Sequence, residues 1–229
     1  MVDKDSHSIQ SMFATIAPRY DLTNRILSAR MDVLWRRHVA RHLLDHPGTV
    51  LDLAAGTGDL SVALERIGHH RVVAADFTFV MLVAGRSKLQ RDDHAVRPVG
   101  ADALELPFLS GVFDAATVAF GVRNFADPVA GLSEIRRVLT PRGIAGILEF
   151  SRPARAVRIL FDGYFRHVLP TLGGLVTGSK SSYQYLTASV DQFPEGEAFL
   201  DLMRSAGYEG VSATRLTGGI VTFYRGVNP

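Results

Sequence analysis

Between residues 49 and 67 a β-branched, apolar run breaks into a turn of small residues and then into a helix. The run Thr49 to Leu53 shows no clean alternation of polar and apolar side chains, so it reads as a strand buried on both faces. The same change of period recurs down the chain. Strands are expected at 72–75, 96–99, 112–118 and 144–150, and helices at 59–67 and 80–89. A third helix is opened by Asp127 as N-cap and Pro128 at its first position, and it stops before Pro141-Arg142-Gly143. Strands separated by helices pair in parallel, which predicts an α/β sheet covered on both sides.

The two flanks of this pattern differ from it. In residues 1–47, Trp35, Val39 and Leu43 recur at helical spacing, with Arg36, Arg37 and Arg41 toward another face; Pro47-Gly48 ends the helix. This part is expected to be a helical cap. The main domain then runs from 48 to 229, with an insertion at about 151–193 that is helical, then glycine-rich, then rich in Ser and Tyr, and reads as a lid. After a helix at 195–206, the runs 208–216 and 220–224 are joined by Thr217-Gly218-Gly219 and predict a final hairpin. Together these parts form one structural domain.

Composition removes several classes of function. The chain has no Cys, which excludes disulfides, thiolate zinc sites and cysteine nucleophiles. Its His residues form no HExxH motif, so no metal site is expected, and Asp92-Asp93-His94 reads as a solvated loop. A formal net charge of +2 gives no reason to expect nucleic acid as a partner. There is no signal-peptide pattern and no apolar stretch of the roughly 18 residues a spanning helix needs. A cytoplasmic protein is expected, with contact at a membrane surface left open.

The turn after the first strand, Ala54-Ala55-Gly56-Thr57-Gly58, lets a ligand approach the backbone at a helix N-terminus. The third small residue of a dinucleotide fingerprint is replaced by Ser61, and the Lys of a P-loop is missing. Taken alone, the segment also fits a plain strand–helix turn. Asp76 ends the second strand nineteen residues after Thr57, where a carboxylate can accept from both ribose hydroxyls or cap the next helix. Asp102, after the third strand, can accept from the amine of an adenine. Acceptors on successive strand tips without a phosphate anchor fit an adenosine that carries no phosphate, with S-adenosyl-L-methionine as the candidate cofactor.

The glycine loop, residues 75–82 and Ala101-Asp102-Ala103 resemble the successive motifs of class I S-adenosylmethionine-dependent methyltransferases. Further segments resemble the quinone-biosynthesis C-methyltransferases, the UbiE/MenG family, in order and over nearly the whole chain. They are Met12 to Asn24, Leu27-Ser28, Trp35-Arg36, residues 120–125, 148–153, 167–170, 183–186 and 216–221. The resemblance implies a Rossmann-like fold with a mostly parallel seven-stranded sheet, helices on both faces and a C-terminal antiparallel hairpin. It also implies methylation of a ring carbon of a polyprenylated quinol, demethylmenaquinol to menaquinol, or its benzoquinol counterpart in ubiquinone biosynthesis. A same-fold O- or N-methyltransferase is the further alternative.

Carried over residue by residue, the cofactor contacts fall on Asp52, Gly56, Thr57, Gly58, Asp76, Asp102 and Ala103. The catalytic pair falls on Arg123 and Asn124, with Arg123 stabilising a developing phenolate; a purely structural pairing of Arg123 with Asp127 is the alternative. Tyr20, Tyr183 and Tyr185 are expected to stack on the ring or hydrogen-bond it, and His167 to serve the core or a cap. Three positions depart from the family pattern: Ala119 for a Ser, Arg30 for a Gly and Tyr224 for a His. Membrane contact is expected from the arginines around Leu27, Leu34 and Trp35 and from residues 167–178. Oligomeric state is left open.

Overall fold

The computed structural model describes residues 6–43, 48–68, 71–90, 96–154, 158 and 161–229. Helices α1 (Ser6–Ile16), α2 (Tyr20–Leu27) and α3 (Met31–Arg41) precede β1 (Thr49–Leu53). Next come α4 (Asp59–Gly68), β2 (Arg71–Asp76), α5 (Phe79–Leu89), β3 (Arg97–Gly100), β4 (Phe113–Ala119), α6 (Pro128–Val138) and β5 (Leu139–Phe150). A π-helical turn (Tyr164–Val168) leads into α7 (Leu169–Thr177) and α8 (Lys180–Gln192). The chain closes with α9 (Glu197–Ser205), β6 (Glu209–Leu216) and β7 (Val221–Val227).

The seven strands form one sheet in the order β3-β2-β1-β4-β5-β7-β6. The first five pair in parallel, and β7 runs antiparallel between β5 and β6, so the expected hairpin closes one edge. Strand order reverses between β1 and β4. In open α/β sheets that switch point, at the carboxyl ends of the strands, is where ligands bind.

One apolar core, built on Leu132, Ile135, Phe199, Met203 and Tyr224, packs α6 and α9 on one face of the sheet. The other, with Trp35, Val39, Leu43, Leu64, Leu82 and Leu89, packs α3, α4 and α5 on the opposite face. Helix α3 of the cap is therefore part of the main core, and Trp35 Nε1 donates to Thr217 Oγ1 in the hairpin turn at 2.8 Å. A third cluster of Phe165, Leu169, Tyr183 and Val190 seats the lid helices against Leu27 of α2.

Two boundaries carry physical information. Asp127 caps α6 as expected, its Oδ1 accepting from the N–H groups of Val129 and Ala130. Strand β5 begins at Leu139, ahead of the expected 144. Leu139 pairs with Phe113 and Ile144 with Ala115, so the residues between them, with Arg142 at φ 64°, bulge out of the ladder. Pro141 lies in that bulge, where its missing N–H breaks no ladder bond. Pro47 and Asp92-Asp93-His94 lie outside the described residues.

Candidate active site

At the switch point, β1 runs into Ala54 at φ 53° and β4 into Phe120 at φ 60°. Two non-glycine residues in the left-handed region on adjacent strand tips is the kind of strain that collects at functional sites. The glycine loop is held by close packing: a Cβ on Gly58, at φ 81°, would lie 2.3 Å from Leu89 Cδ2, and one on Gly121 would lie 2.5 Å from the Ala54 Cβ.

Asp76 fastens this loop to the tip of β2. Its Oδ2 accepts from the Gly56 N–H and its Oδ1 from the Thr78 N–H, both at 2.7 Å. Thr78 itself occupies the N-cap position of α5, so Asp76 is not that helix's cap. The carboxylate is 8% exposed, and burial pushes its pKa up to about 6 against the pull of the two N–H groups. Each oxygen keeps a further lone pair.

Asp76 lines a cavity of about 120 Å³ together with Leu53, Ala54, Gly56, Asp102, Ala103 and Asn124. Asp102 is exposed and steadied by the Leu104 N–H at 2.9 Å. Among the described residues, no Lys, Arg or His lines this cavity. Two carboxylates without a cation suit a ligand that is itself positive and carries no phosphate, which fits the sulfonium and ammonium groups of S-adenosylmethionine.

The other three residues assigned to the cofactor, Asp52, Thr57 and Gly58, do not line it. Asp52 is fully buried below the loop and accepts from Ser61 Oγ at 2.5 Å and from Thr117 Oγ1 at 3.3 Å; burial pushes its pKa up to about 7. Ser61, the residue that breaks the dinucleotide fingerprint, is thus the partner of Asp52. The Thr57 hydroxyl donates to Asp21 of the cap at 2.5 Å, and Lys88 Nζ bridges Asp21, Thr57 and Asp59.

A second cavity, about 190 Å³, lies between cap, sheet and lid. Its wall is a row of rings: Phe120 and Phe150 at 4.5 Å, Phe150 and Phe165 at 6.0 Å, Phe165 and Phe161 at 4.9 Å. Phe13, Tyr20 and Phe120 line both cavities and form the wall they share.

Arg123 lines this second cavity from the short helical turn after β4. Its Nη1 donates to Glu149 Oε2 at 2.9 Å and to the Phe120 carbonyl, and its backbone N–H donates to Glu149 Oε1 at 3.2 Å. Its partner is therefore Glu149, not Asp127. Asn124 lines the first cavity, and its Oδ1 accepts from Tyr185 Oη of the lid at 3.1 Å. Tyr20, Tyr183 and Tyr185 all line the second cavity, and burial raises each phenol's pKa. Of the five residues assigned to chemistry and acceptor, Arg123, Tyr183 and Tyr185 line the second cavity, Asn124 the first, and Tyr20 both.

Of the departures, Ala119 presents only a methyl to the first cavity. Tyr224 Oη accepts from the Gly196 N–H in the core on the α9 side and lines neither cavity. Glu149 and Asp32 escaped sequence reasoning. The signal for Glu149 is an acidic side chain within an apolar strand run; for Asp32 it is an Asp one helical turn before Arg36.

The model of the ubiE/COQ5 methyltransferase family matches residues 1–228. The demethylmenaquinone methyltransferase of Thermus thermophilus is 46% identical, covering 95% of this chain and 100% of that protein. The ubiquinone/menaquinone biosynthesis C-methyltransferase UbiE of Citrifermentans bemidjiense is 44% identical over 95% of each. Among solved structures, a SAM-dependent methyltransferase of Thermotoga maritima superposes with a TM-score of 0.70 at 18% identity, covering 96% of this chain and 99% of that one, a likeness of fold. Strand tips, cavities and relatives agree: the chain is an S-adenosylmethionine-dependent methyltransferase and belongs to the ubiE/COQ5 methyltransferase family.

Proposed function

We propose that the protein methylates a ring carbon of demethylmenaquinol, giving menaquinol. The observation that carries this reading is the pair of neighbouring cavities that share Phe13, Tyr20 and Phe120 as walls, one lined by acceptors, the other by aromatic rings and Arg123. The name of the Thermus thermophilus relative agrees with it.

When bound, the cofactor supplies an electrophilic methyl group on a sulfonium. The residues proposed to hold it are Asp76, through the ribose hydroxyls, and Asp102 with Ala103, at the adenine. Gly56 and Gly58 keep the loop low enough for the ligand, while Asp52 and Thr57 brace it from behind. On the acceptor side, Arg123 stabilises the negative charge that develops on a ring oxygen. A guanidinium, with a pKa above ~12, stays charged throughout and is a poor base. The Asn124–Tyr185 bond ties the lid to the reacting end. Helices α1 to α3 of the proposed cap and α7 and α8 of the proposed lid close the second cavity, excluding water and aligning ring carbon and methyl group.

A benzoquinol acceptor is the second reading, favoured by the name of the Citrifermentans relative. Both are tested by extracting quinones from a host that lacks this activity, with and without the gene. Restored menaquinone supports the first reading, restored ubiquinone the second, and neither product refutes both.

A polyprenyl tail partitions into lipid at about 0.8 kcal/mol per buried CH₂, so the acceptor is met at a bilayer surface. No helix among the described residues is long and apolar enough to cross a membrane. The surface proposed for docking is the seam of α2 and α7, where Leu22, Ile26, Val168, Leu172 and Leu175 are exposed beside Arg25 and Arg30. It replaces part of the expected patch, because Trp35 is buried and Arg36 is paired inside.

A further inference from the structure

We propose that Asp32 is the proton acceptor of the second cavity, an inference that rests on the reading of the acceptor as a quinol. Among the described residues, Asp32 is the one carboxylate that lines this cavity, and it is 3% exposed. Its Oδ1 accepts from Ser28 Oγ at 2.7 Å and its Oδ2 from Arg36 Nη1 at 2.5 Å. An aspartate in the first turn of a helix, paired at i,i+4, is ordinary on a surface and contributes little there. This pair is instead sunk against an aromatic wall, where removing two charges from water costs several kcal/mol.

The surroundings point the same way. Arg36, Arg123 and Tyr20 line the same cavity as Asp32, and burial raises the Tyr20 phenol's pKa against the pull of Asn24 and the two arginines. The cation bound to Asp32 and the cation proposed to stabilise the oxyanion therefore line one cavity. Asp32 takes the proton of a ring hydroxyl as its O–H bond breaks, and the electron pair moves into the ring while Arg123 stabilises the oxygen. A ring carbon then forms its bond to the methyl group as the sulfur–methyl bond breaks, its electron pair staying on sulfur. That carbon loses its hydrogen as a proton to water, and the proton on Asp32 returns to the oxygen. One proton is released for each methyl group transferred.

The test uses the full chain, S-adenosylmethionine and a short-tailed demethylnaphthoquinol kept reduced. Asp32→Asn is expected to lower kcat at pH 7 by about 100-fold or more, the usual reach of a positioned base. Cofactor affinity by calorimetry should stay within twofold, and the kcat deficit should shrink as pH rises and the quinol ionises unaided. Asp32→His keeps a proton acceptor; it should be at least tenfold more active than Asp32→Asn and show a limb in its pH profile near ~6.5. If Asp32→Asn does not fold, the limb of Asp32→His, absent from Asp32→Glu, decides. The proposal is overturned if Asp32→Asn turns over within threefold of wild type, if its deficit is the same from pH 6 to 9, or if the His limb is absent. A wild-type protein that leaves the quinol unmethylated overturns the functional reading instead, before any variant is compared.

Discussion

Glu149 holds Arg123 at two points, one carboxylate oxygen on its backbone N–H and the other on its guanidinium, and both side chains are buried. Breaking such a pair from one side leaves an uncompensated charge and typically costs about 3–5 kcal/mol. Glu149→Ala is expected to lose stability of that order in urea unfolding. Glu149→Gln, which keeps an acceptor, should lose less, yet lower kcat more than it weakens cofactor binding. A Glu149→Gln enzyme with wild-type kcat would detach this pair from turnover.

Asp76→Ala should fold and bind S-adenosylmethionine about 1–3 kcal/mol more weakly, the cost of leaving buried hydroxyls unpaired. In the wild type, a carboxyl raised to about 6 should make affinity decline as pH falls through that value. Calorimetry between pH 5 and 8 checks both statements; a flat profile would remove Asp76 from the ribose.

Asp52 affects stability in the opposite sense from a paired surface carboxylate. Its pKa rises from an ordinary 3.8 to about 7 on burial, so the folded state binds the extra proton. Its contribution is full below pH ~4 and is lost as pH rises to about 7. Asp52→Asn should lack this slope, so its stability relative to wild type should increase across that window. Urea midpoints at pH 5 and pH 8 measure it; an equal offset at both contradicts the assignment.

Arg30 stands at φ 64° just before α3, a left-handed position that favours glycine. A left-handed conformation costs an L-residue roughly 1–2 kcal/mol, partly offset by the greater freedom of glycine in the unfolded chain. Arg30→Gly is expected to raise stability by about 0.5–1 kcal/mol, read as a shift in urea midpoint. No shift would mean that Arg30 makes a compensating interaction.

The seam of α2 and α7 should bind anionic vesicles weakly and release them as salt rises, because arginine attraction to headgroups is screened within a Debye length. Ile26→Ser with Leu175→Ser should abolish cosedimentation while leaving turnover of a short-tailed quinol unchanged. Equal cosedimentation of that variant would place the docking surface elsewhere.

Strand and helix types could be read locally because each element carries its own periodicity, and Asp76 because its place at a strand tip follows from that pattern. The bulge at Pro141 could not, since Pro-Arg-Gly also spells a turn. The pairings around the site join distant positions: Glu149 to Arg123 across 26 residues, Lys88 to Asp21 across 67. No short spacing encodes such partners. The Thr57 hydroxyl likewise reads as a ligand contact until the cap folds back and supplies Asp21.

Phe13 and Tyr20 belong to the cap, yet each is wall to both cavities. A partition shared by two chambers cannot be ordered twice. A ligand that orders this wall spares the second the same entropic penalty, so the two binding free energies are expected to be coupled beyond the contact of methyl group and ring. A molecule linking a cationic adenosine to an aromatic ring would have to cross that partition, and would probe the coupling directly.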